Sequence, residues 1–205
     1  MSSDASIRFF DNQFQRQIGE GDLHLNPFEE MALSHLRGGR VLDFGCGLGN
    51  LSIAAAQRGC SVVAVDASHT AIQHLCQLAK AQSLTIEATE ADLRTYRIGA
   101  DYDAIVSIGL LMFLDCPTAF RQLAELQEHV RPGGTAIVNV LIEGTTYMDM
   151  FDPSFHCLFS RDELQRRFSG WEIVRAEQQD FPAPGQKIKA FQTLVARKPL
   201  AASSA

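Results

Sequence analysis

The stretch that decides the fold is Val41-Leu42-Asp43-Phe44-Gly45-Cys46-Gly47-Leu48-Gly49-Asn50. In it an apolar strand leads into a loop with three glycines, and a helix-like stretch follows. Glycine lets the backbone adopt conformations closed to other residues and approach a ligand closely. A helix after such a loop presents unpaired backbone N–H groups at its first turn. The order of strand, glycine loop and helix therefore predicts a ligand site at the carboxyl end of a strand in an α/β sheet.

Apolar runs alternate with longer amphipathic stretches along the rest of the chain. The predicted strands are residues 40–44, 61–66, 84–88, 104–107, 135–141, 171–175 and 188–196. The predicted helices between them are residues 48–58, 68–82 and 117–130. Because strands and helices alternate, we predict a three-layer α/β/α, Rossmann-like doubly wound sheet of seven strands. The sheet should be mostly parallel, with an antiparallel hairpin at its carboxyl-terminal edge.

Two further helix starts are visible in the sequence. Asn26 followed by Pro27 and two glutamates predicts a helix ahead of the first strand, because it combines a capping residue, a proline and an acidic first turn. Ser160 with Glu163 three residues later has the pattern of a capping box. We therefore expect one helix before the sheet and another between the fifth and sixth strands.

The chain is predicted to form one domain with short additions at its ends. Its 205 residues are enough for one core and too few for two ordinary domains. We interpret residues 26–199 as this domain and residues 200–205 as a disordered tail. Residues 1–25 are rich in phenylalanine and form an N-terminal arm, which either covers the site as a flap or simply packs against the domain.

The composition argues against several classes of protein. The formal net charge is −6 at pH 7, whereas a nucleic-acid-binding domain usually carries a basic face. No apolar run reaches the roughly 18 residues of a membrane span, and the first residues lack the pattern of a signal peptide. We therefore expect a cytoplasmic protein, a monomer or a homodimer, whose partner is a small molecule and neither a nucleic acid nor a membrane.

The cysteines follow no recognisable framework. They are Cys46, Cys60, Cys76, Cys116 and Cys157. Their odd number and scattered spacing predict free thiols in a reducing compartment. No cysteine and histidine share the spacing of a zinc site, so no metal is predicted. Because no base is positioned for it, we interpret Cys46 in the glycine loop as a packing residue rather than a nucleophile.

The spacing of the glycines indicates which ligand the loop holds. The dinucleotide fingerprint Gly-x-Gly-x-x-Gly places a pyrophosphate at the start of the helix. Here the spacing is Gly45-x-Gly47-x-Gly49, and Asn50 stands at the position of the third fingerprint glycine. S-adenosylmethionine has no pyrophosphate, and its cationic amine and sulfonium suit an acidic residue just before the glycines. We therefore predict S-adenosylmethionine as the ligand, with Asp43 reaching its amine directly or through water.

Polar residues also end the following strands. Asp66 ends the second strand, about 20 residues after the loop, where a carboxylate accepts hydrogen bonds from ribose hydroxyls. Asp92 follows the third strand and is placed to accept from the adenine amino group, and Ser107-Ile108-Gly109 ends the fourth. Because the carboxyl ends of parallel strands meet at one edge of the sheet, these residues predict a single site.

The chain resembles class I methyltransferases over about residues 26–142. The matching segments are VLDFGCGLGN (41–50), VVAVDAS (62–68), EADL (90–93), YDAIVSIG (102–109) and VRPGG (130–134). The resemblance implies S-adenosyl-L-methionine as cofactor, S-adenosyl-L-homocysteine as product, and a sheet closed by an antiparallel hairpin. The predicted cofactor-binding residues are Asp43, Gly45, Cys46, Gly47, Gly49, Asn50, Asp66, Ala67, Asp92, Leu93, Ser107, Ile108 and Gly109.

Within these enzymes the chain resembles the tellurite-resistance methyltransferases. The matching segments are MFL (112–114), FSRDEL (159–164), WE (171–172), GQKIK (185–189) and ARKP (196–199). That family carries a His-Arg pair before its last strand, and Gln179-Asp180 stand there in this chain. Lys187 stands where the family has arginine. The resemblance implies that these basic positions serve the methyl acceptor.

Methyl transfer is an in-line displacement in which the enzyme mainly aligns donor and acceptor. A thiol, selenium or tellurium acceptor needs little base, whereas an oxygen or nitrogen acceptor can need one. The candidate catalytic residues are Tyr147, His156 and Glu143, which follow the fifth strand; each is also compatible with a purely structural role. Methionines and phenylalanines in the same region are candidates for an apolar acceptor pocket.

The sequence therefore predicts an enzyme, a methyltransferase that acts on a small molecule with a thiol, a chalcogen oxyanion or another oxygen, nitrogen or sulfur acceptor. Two alternatives remain open. One is a non-catalytic module that binds S-adenosylmethionine. The other is a nicotinamide-dependent oxidoreductase, which the glycine spacing disfavours.

Overall fold

The computed structural model describes residues 3–21, 23–153 and 155–201. Of the predicted tail at 200–205, residues 202–205 lie outside the described residues. Among the residues that are described, no helix combines the length and the apolar character needed to cross a bilayer.

The strands form one sheet in the order β3-β2-β1-β4-β5-β7-β6. They are β1 (Arg40–Phe44), β2 (Ser61–Asp66), β3 (Ile86–Glu90), β4 (Tyr102–Ile108), β5 (Val130–Leu141), β6 (Glu172–Ala183) and β7 (Lys187–Arg197). The pairs from β3 to β5 are parallel. β7 runs antiparallel to both β5 and β6. The predicted seven-stranded sheet with its antiparallel edge is confirmed.

The helices are α1 (Ser3–Glu20), α2 (Pro27–His35), α3 (Asn50–Gln57), α4 (His69–Ala81), α5 (Cys116–Glu128) and α6 (Glu163–Arg167). Two predicted starts are confirmed in atomic detail. Asn26 Oδ1 accepts from the backbone N–H groups of Phe28 and Glu29 at 2.9 and 3.0 Å, and Glu29 Oε2 accepts from Asn26 N at 2.8 Å. Ser68 Oγ accepts from Ala71 N at 3.1 Å. The first turns of α2 and α4 are therefore capped by side chains that are close in sequence.

Three differences from the sequence expectation are the most informative. β5 begins at Val130, before the predicted strand, and β6 runs on to Ala183. Pro182 is tolerated inside β6 because this strand lies at the edge of the sheet, where a missing N–H breaks no inner ladder. The capping box expected at Ser160 is wrong: α6 is preceded by Asp162, and Ser160 Oγ donates to its Oδ1 at 3.1 Å.

Both faces of the parallel strands are buried, which explains their nearly continuous apolar sequences. Leu42 and Ile105 point to the face that α5 covers. Val41 and Val106 point to the opposite face, which α2, α3 and α4 cover. Helices on both faces leave the carboxyl ends of the strands as the place where a ligand can enter.

The expectation of five free thiols is wrong for one pair. Cys116 and Cys157 form a disulfide, with their Cα atoms 4.7 Å apart and a sequence separation of 41. The fold brings them together because Cys157 N donates to the carbonyl oxygen of Met112, just before α5, at 3.0 Å. Sequence spacing carries no information about such long-range proximity. The disulfide ties the segment after β5 to the start of α5.

Candidate functional site

A cavity of about 980 Å³ opens at the carboxyl ends of β1, β2 and β4. Its wall contains all of the predicted cofactor-binding residues except Gly49 and Ser107. Gly49 is the residue before α3, and the Ser107 side chain is buried in the sheet. The residues brought together are Asp43, Gly45, Cys46, Gly47, Asn50, Asp66, Ala67, Asp92, Leu93, Ile108 and Gly109. The strand ends thus meet at one site, as their sequence positions indicate.

The glycine loop is shaped by its contact with the second strand. Gly47 has a φ of +51°, a conformation that favours glycine, and its N–H donates to Asp66 Oδ2 at 2.8 Å. A Cβ built at Gly47 would lie 3.2 Å from the ring of Phe14. The missing side chain therefore keeps a narrow slot open between the loop and α1.

Asp43 lies at the inner end of the cavity and is 4 % exposed. Its Oδ2 accepts from the Ser52 hydroxyl at 2.6 Å. Burial raises the pKa of Asp43 to about 7, the Ser52 hydrogen bond opposes the rise, and the nearby carboxylates of Glu29 and Asp66 add to it. A buried carboxylate of this kind is stabilised by a cationic partner.

Asp66 combines two backbone hydrogen bonds with a place on the cavity wall. Its Oδ2 accepts from Gly47 N, and its Oδ1 accepts from Ser68 N at 2.9 Å. Burial raises its pKa, and the backbone donors oppose the rise. Because each carboxylate oxygen has two lone pairs, both can accept a further hydrogen bond from a ligand hydroxyl.

Asp92 also lines the cavity, but its carboxylate already has a strong partner. Arg94 Nε and Nη2 donate to its two oxygens at 2.7 and 2.6 Å. This ion pair lowers the pKa of Asp92. The role predicted for Asp92 with an adenine amino group stays a prediction, and a ligand there would meet a carboxylate held by Arg94.

Most of the N-terminal arm forms the helix α1, and several of its side chains line the cavity. Phe10 packs against Phe113 with ring centroids 4.9 Å apart, and Phe14 faces Gly47. The Ser68 hydroxyl donates to Asp11, which joins α1 to the start of α4. Of the two interpretations of residues 1–25, these contacts favour a cover over the site.

The far end of the cavity is aromatic. Phe28, Phe181 and Phe191 contact one another, with centroids 4.9 to 5.7 Å apart. Tyr147 lies at this end, and the Lys189 ammonium is 4.8 Å from its ring centroid. The residues that match the glycine-loop and strand-end motifs lie at the other end of the cavity.

Two of the three candidate catalytic residues are not brought to the described cavity wall. Glu143 is exposed after β5, and its N–H donates to Phe159 O at 2.8 Å. His156 stacks beside Phe151 with centroids 5.3 Å apart. Tyr147 alone of the three lines the cavity. Catalytic roles for Glu143 and His156 stay predictions that gain no support from the geometry.

Sequence reasoning missed several wall residues. Glu29 of α2 and Asn139 of β5 both line the cavity. The sequence marks Glu29 only as part of an acidic helix start, whereas in the structure burial raises its pKa. Asn139 interrupts the apolar run of β5, and a polar residue in a buried strand is a signal that could have identified it.

The comparisons with known proteins agree with this arrangement. The sequence profile described as "Tellurite resistance protein TehB" matches residues 11–182. A solved structure with a similar fold is that of TehB from Haemophilus influenzae, with a TM-score of 0.74 and 23 % identity over 85 % of this chain and 62 % of that one.

Two curated relatives are similar over 78 % of this chain, each at 29 % identity. One is "Hemagglutinin 1" of Eikenella corrodens, of which the chain covers 55 %. The other is "Probable S-adenosyl-L-methionine-dependent methyltransferase TehB" of Haemophilus influenzae (strain 10810), of which it covers 57 %. The chain thus spans little more than half the length of these relatives. Since the family profile matches most of the chain, the protein belongs to the TehB tellurite resistance family.

Proposed function

We propose that this protein is an S-adenosylmethionine-dependent methyltransferase that acts on a small molecule. The observation that carries the proposal is a cluster of carboxylates beside the glycine loop, of which Asp43 is buried and Asp66 and Glu29 are partly buried. Asp43, Asp66 and Glu29 line one cavity, and burial is the largest cause that raises the pKa of each. Such a cluster needs a cationic partner, and S-adenosylmethionine carries an ammonium and a sulfonium.

The family supports the same conclusion. The Haemophilus influenzae relative that matches 78 % of this chain is named a probable S-adenosyl-L-methionine-dependent methyltransferase. In this chain Asp43 would hold the amine, Asp66 would accept from the ribose hydroxyls, and the backbone of Ile108 and Gly109 would flank the ligand. α1 would limit the access of water to the bound ligand.

When bound, S-adenosylmethionine supplies a methyl group whose bond to sulfur breaks as the lone pair of the acceptor forms the new bond, the electron pair staying on sulfur. The part of this chain is to align the acceptor with that methyl group and exclude water. Tyr147 and the phenylalanines at the far end of the cavity would hold the acceptor for this alignment.

Calorimetry with S-adenosylhomocysteine and with NADH tests the proposal. We expect saturable binding of S-adenosylhomocysteine with one site per chain and no binding of NADH, because the loop lacks the third fingerprint glycine. Tight NADH binding without a response to S-adenosylhomocysteine would refute the methyltransferase. Binding without turnover of any thiol, selenite, phenol or amine acceptor would instead favour a non-catalytic module.

Ligand binding is expected to release protons near neutral pH. With a pKa of about 7, most Asp43 side chains are protonated at pH 6.5 in the free protein. An ammonium beside this carboxylate favours its charged form and lowers the pKa. We therefore expect each bound S-adenosylhomocysteine to release most of one proton at pH 6.5, measured by calorimetry in buffers of different ionisation enthalpy.

The Asp43→Asn variant is the control for this linkage, since it removes the titrating group and should release few protons on binding. The ligand-free protein gives a second measurement. The pKa of Asp43 is raised from 3.8 to about 7, so its contribution to stability is present below pH 4 and is lost as the pH rises to 7. The free energy of unfolding should fall over this interval more in the wild type than in the variant. Equal proton release by both proteins would contradict the assignment.

A further inference from the structure

Lys189 is a positively charged residue in the aromatic part of the cavity wall. On β7 it lies directly opposite Phe181 of β6, and Phe191 follows two residues later on the same face of the strand. All three residues line the cavity and are partly exposed, so a ligand can contact them. The aromatic end of the cavity therefore has a cation beside its apolar wall.

The ammonium group of Lys189 has an aromatic neighbour but no acidic one. It lies 4.8 Å from the ring centroid of Tyr147, which also lines the cavity. Within the described ranges of the chain, its side chain forms no ion pair and no hydrogen bond. Lys187, by contrast, donates to Asp149 at 2.7 Å. An ammonium group only donates, so the partner that Lys189 lacks is a hydrogen-bond acceptor, and an anion binds it best.

The carboxylate of the proposed cofactor lies too far away to be this partner. It is attached to the same carbon as the amine, which we assign to Asp43. Asp43 is in register with Val106, and through Ile137 with Val195 of β7. Six residues of β7, about 20 Å of strand, separate Val195 from Lys189. A cofactor bound at Asp43 therefore leaves Lys189 available for the second substrate.

The cavity wall changes in character between its two ends. The proposed cofactor end carries carboxylates and disfavours an anion, whereas Lys189 attracts one. The aromatic wall, which consists of Phe28, Phe181 and Phe191, connects the two ends, since Phe28 precedes Glu29 and its ring contacts the other two rings. A molecule that reaches both ends needs an apolar body along this wall, and an inorganic oxyanion is too small to do so.

We propose that the methyl acceptor is an amphipathic organic acid, whose carboxylate binds Lys189 and whose apolar body packs against the aromatic wall. The aromatic end of the cavity is then the acceptor end. The thiol, hydroxyl or amine that receives the methyl group lies at the opposite end of the acceptor from its carboxylate. The proposal rests on the proposed function, because it needs the cofactor at the strand ends. It makes Lys189 a residue that determines specificity.

Cinnamate and cinnamamide test this inference, because they share one size and one apolar body and differ in charge. Their dissociation constants are measured at neutral pH by ligand-observed NMR, on the protein saturated with S-adenosylhomocysteine. The wild type should prefer cinnamate by about five- to tenfold, since partial exposure weakens a charged hydrogen bond. Acetate, which has the carboxylate without the apolar body, should bind at least about tenfold more weakly than cinnamate. Selenite should also bind more weakly than cinnamate.

Variants of Lys189 locate the charge that this preference needs. Lys189→Gln should abolish the preference for cinnamate, whereas Lys189→Arg keeps the positive charge and should retain most of it. Lys187→Gln should keep the preference, because Lys187 already pairs with Asp149 and is not among the described wall residues. The matched control is Lys80→Gln, which makes the same change of charge at an exposed position on α4 and should change nothing.

A preference in Lys189→Gln within twofold of the wild type would overturn the proposal, as would tighter binding of selenite than of cinnamate. S-adenosylhomocysteine should bind the wild type and the Lys189 variants equally within about twofold. A tenfold loss in Lys189→Gln would assign this lysine to the cofactor carboxylate instead, and displacement of cinnamate by S-adenosylhomocysteine would show overlapping sites; either result refutes the inference. Failure of the wild type to bind S-adenosylhomocysteine would contradict the proposed function, and the probes titrated without it would still report on Lys189.

Discussion

Replacement of Asp66 by asparagine is expected to weaken the binding of S-adenosylhomocysteine by about 10- to 150-fold. A hydrogen bond to a charged group contributes about 1.5–3 kcal/mol, and the change removes the charge and one acceptor oxygen. The asparagine amide would also oppose the N–H of either Gly47 or Ser68, which now donate to the carboxylate. Calorimetry on the purified variant measures the loss directly.

The control variant for this experiment is Asp180→Asn. Asp180 is exposed on the edge strand β6, so its replacement should change the affinity by less than about twofold. Two probes, adenosine and 2′,3′-dideoxyadenosine, distinguish a lost ribose contact from a disturbed glycine loop, because they differ only in the ribose hydroxyls. The wild type should bind adenosine more tightly than 2′,3′-dideoxyadenosine, and this difference in affinity should shrink in Asp66→Asn. The comparison of two proteins with two ligands is a double-mutant cycle, which isolates the interaction with the hydroxyls. Equal affinities of Asp66→Asn and Asp180→Asn would refute the ribose assignment.

Gly49→Ala is expected to destabilise the fold by about 2–5 kcal/mol. Gly49 has a φ of +75°, where a residue with a Cβ is strained by about 1–2 kcal/mol. In addition, the new Cβ would lie 2.6 Å from the methyl carbons of Leu75, which is fully buried in α4. Overpacking of such a core costs about 1–3 kcal/mol. Urea unfolding followed by circular dichroism measures the sum.

Gly59→Ala separates strain from packing. Gly59 lies just after the other end of α3 and has a φ of +88°, but nothing lies within 4 Å of a Cβ built there. This variant should therefore lose only the part that comes from the backbone. If Gly49→Ala were no more destabilised than Gly59→Ala, Leu75 would be able to move aside, and the packing argument would be wrong.

The glycine loop could be predicted almost completely from the sequence. An apolar strand, the Gly-x-Gly-x-Gly spacing and the carboxylates of Asp43 and Asp66 are local or regularly spaced signals. Because the carboxyl ends of parallel strands lie at one edge of the sheet, sequence position translates directly into proximity. The structure accordingly places both carboxylates in one cavity.

The acceptor end could not be predicted in the same way. Phe28, Phe181 and Phe191 come from a helix and two antiparallel strands, and no spacing connects them. His156 and Glu143 followed β5 in sequence, as Tyr147 does, yet only Tyr147 reaches the described cavity wall. After a strand ends, the direction of the chain depends on its packing, so neighbours in sequence no longer share a site.

The sequence by itself determined the order of the strands and helices, the glycine loop and the family of the protein, since these depend on local spacing and on the periodicity of apolar residues. Only the tertiary structure decided that α1 lies beside the glycine loop, that Cys116 and Cys157 are joined, and that the Asn139 side-chain oxygen is buried without a hydrogen-bond partner among the described residues. Each of these three features depends on contacts between segments distant in the chain. Such contacts follow from how the apolar faces pack together.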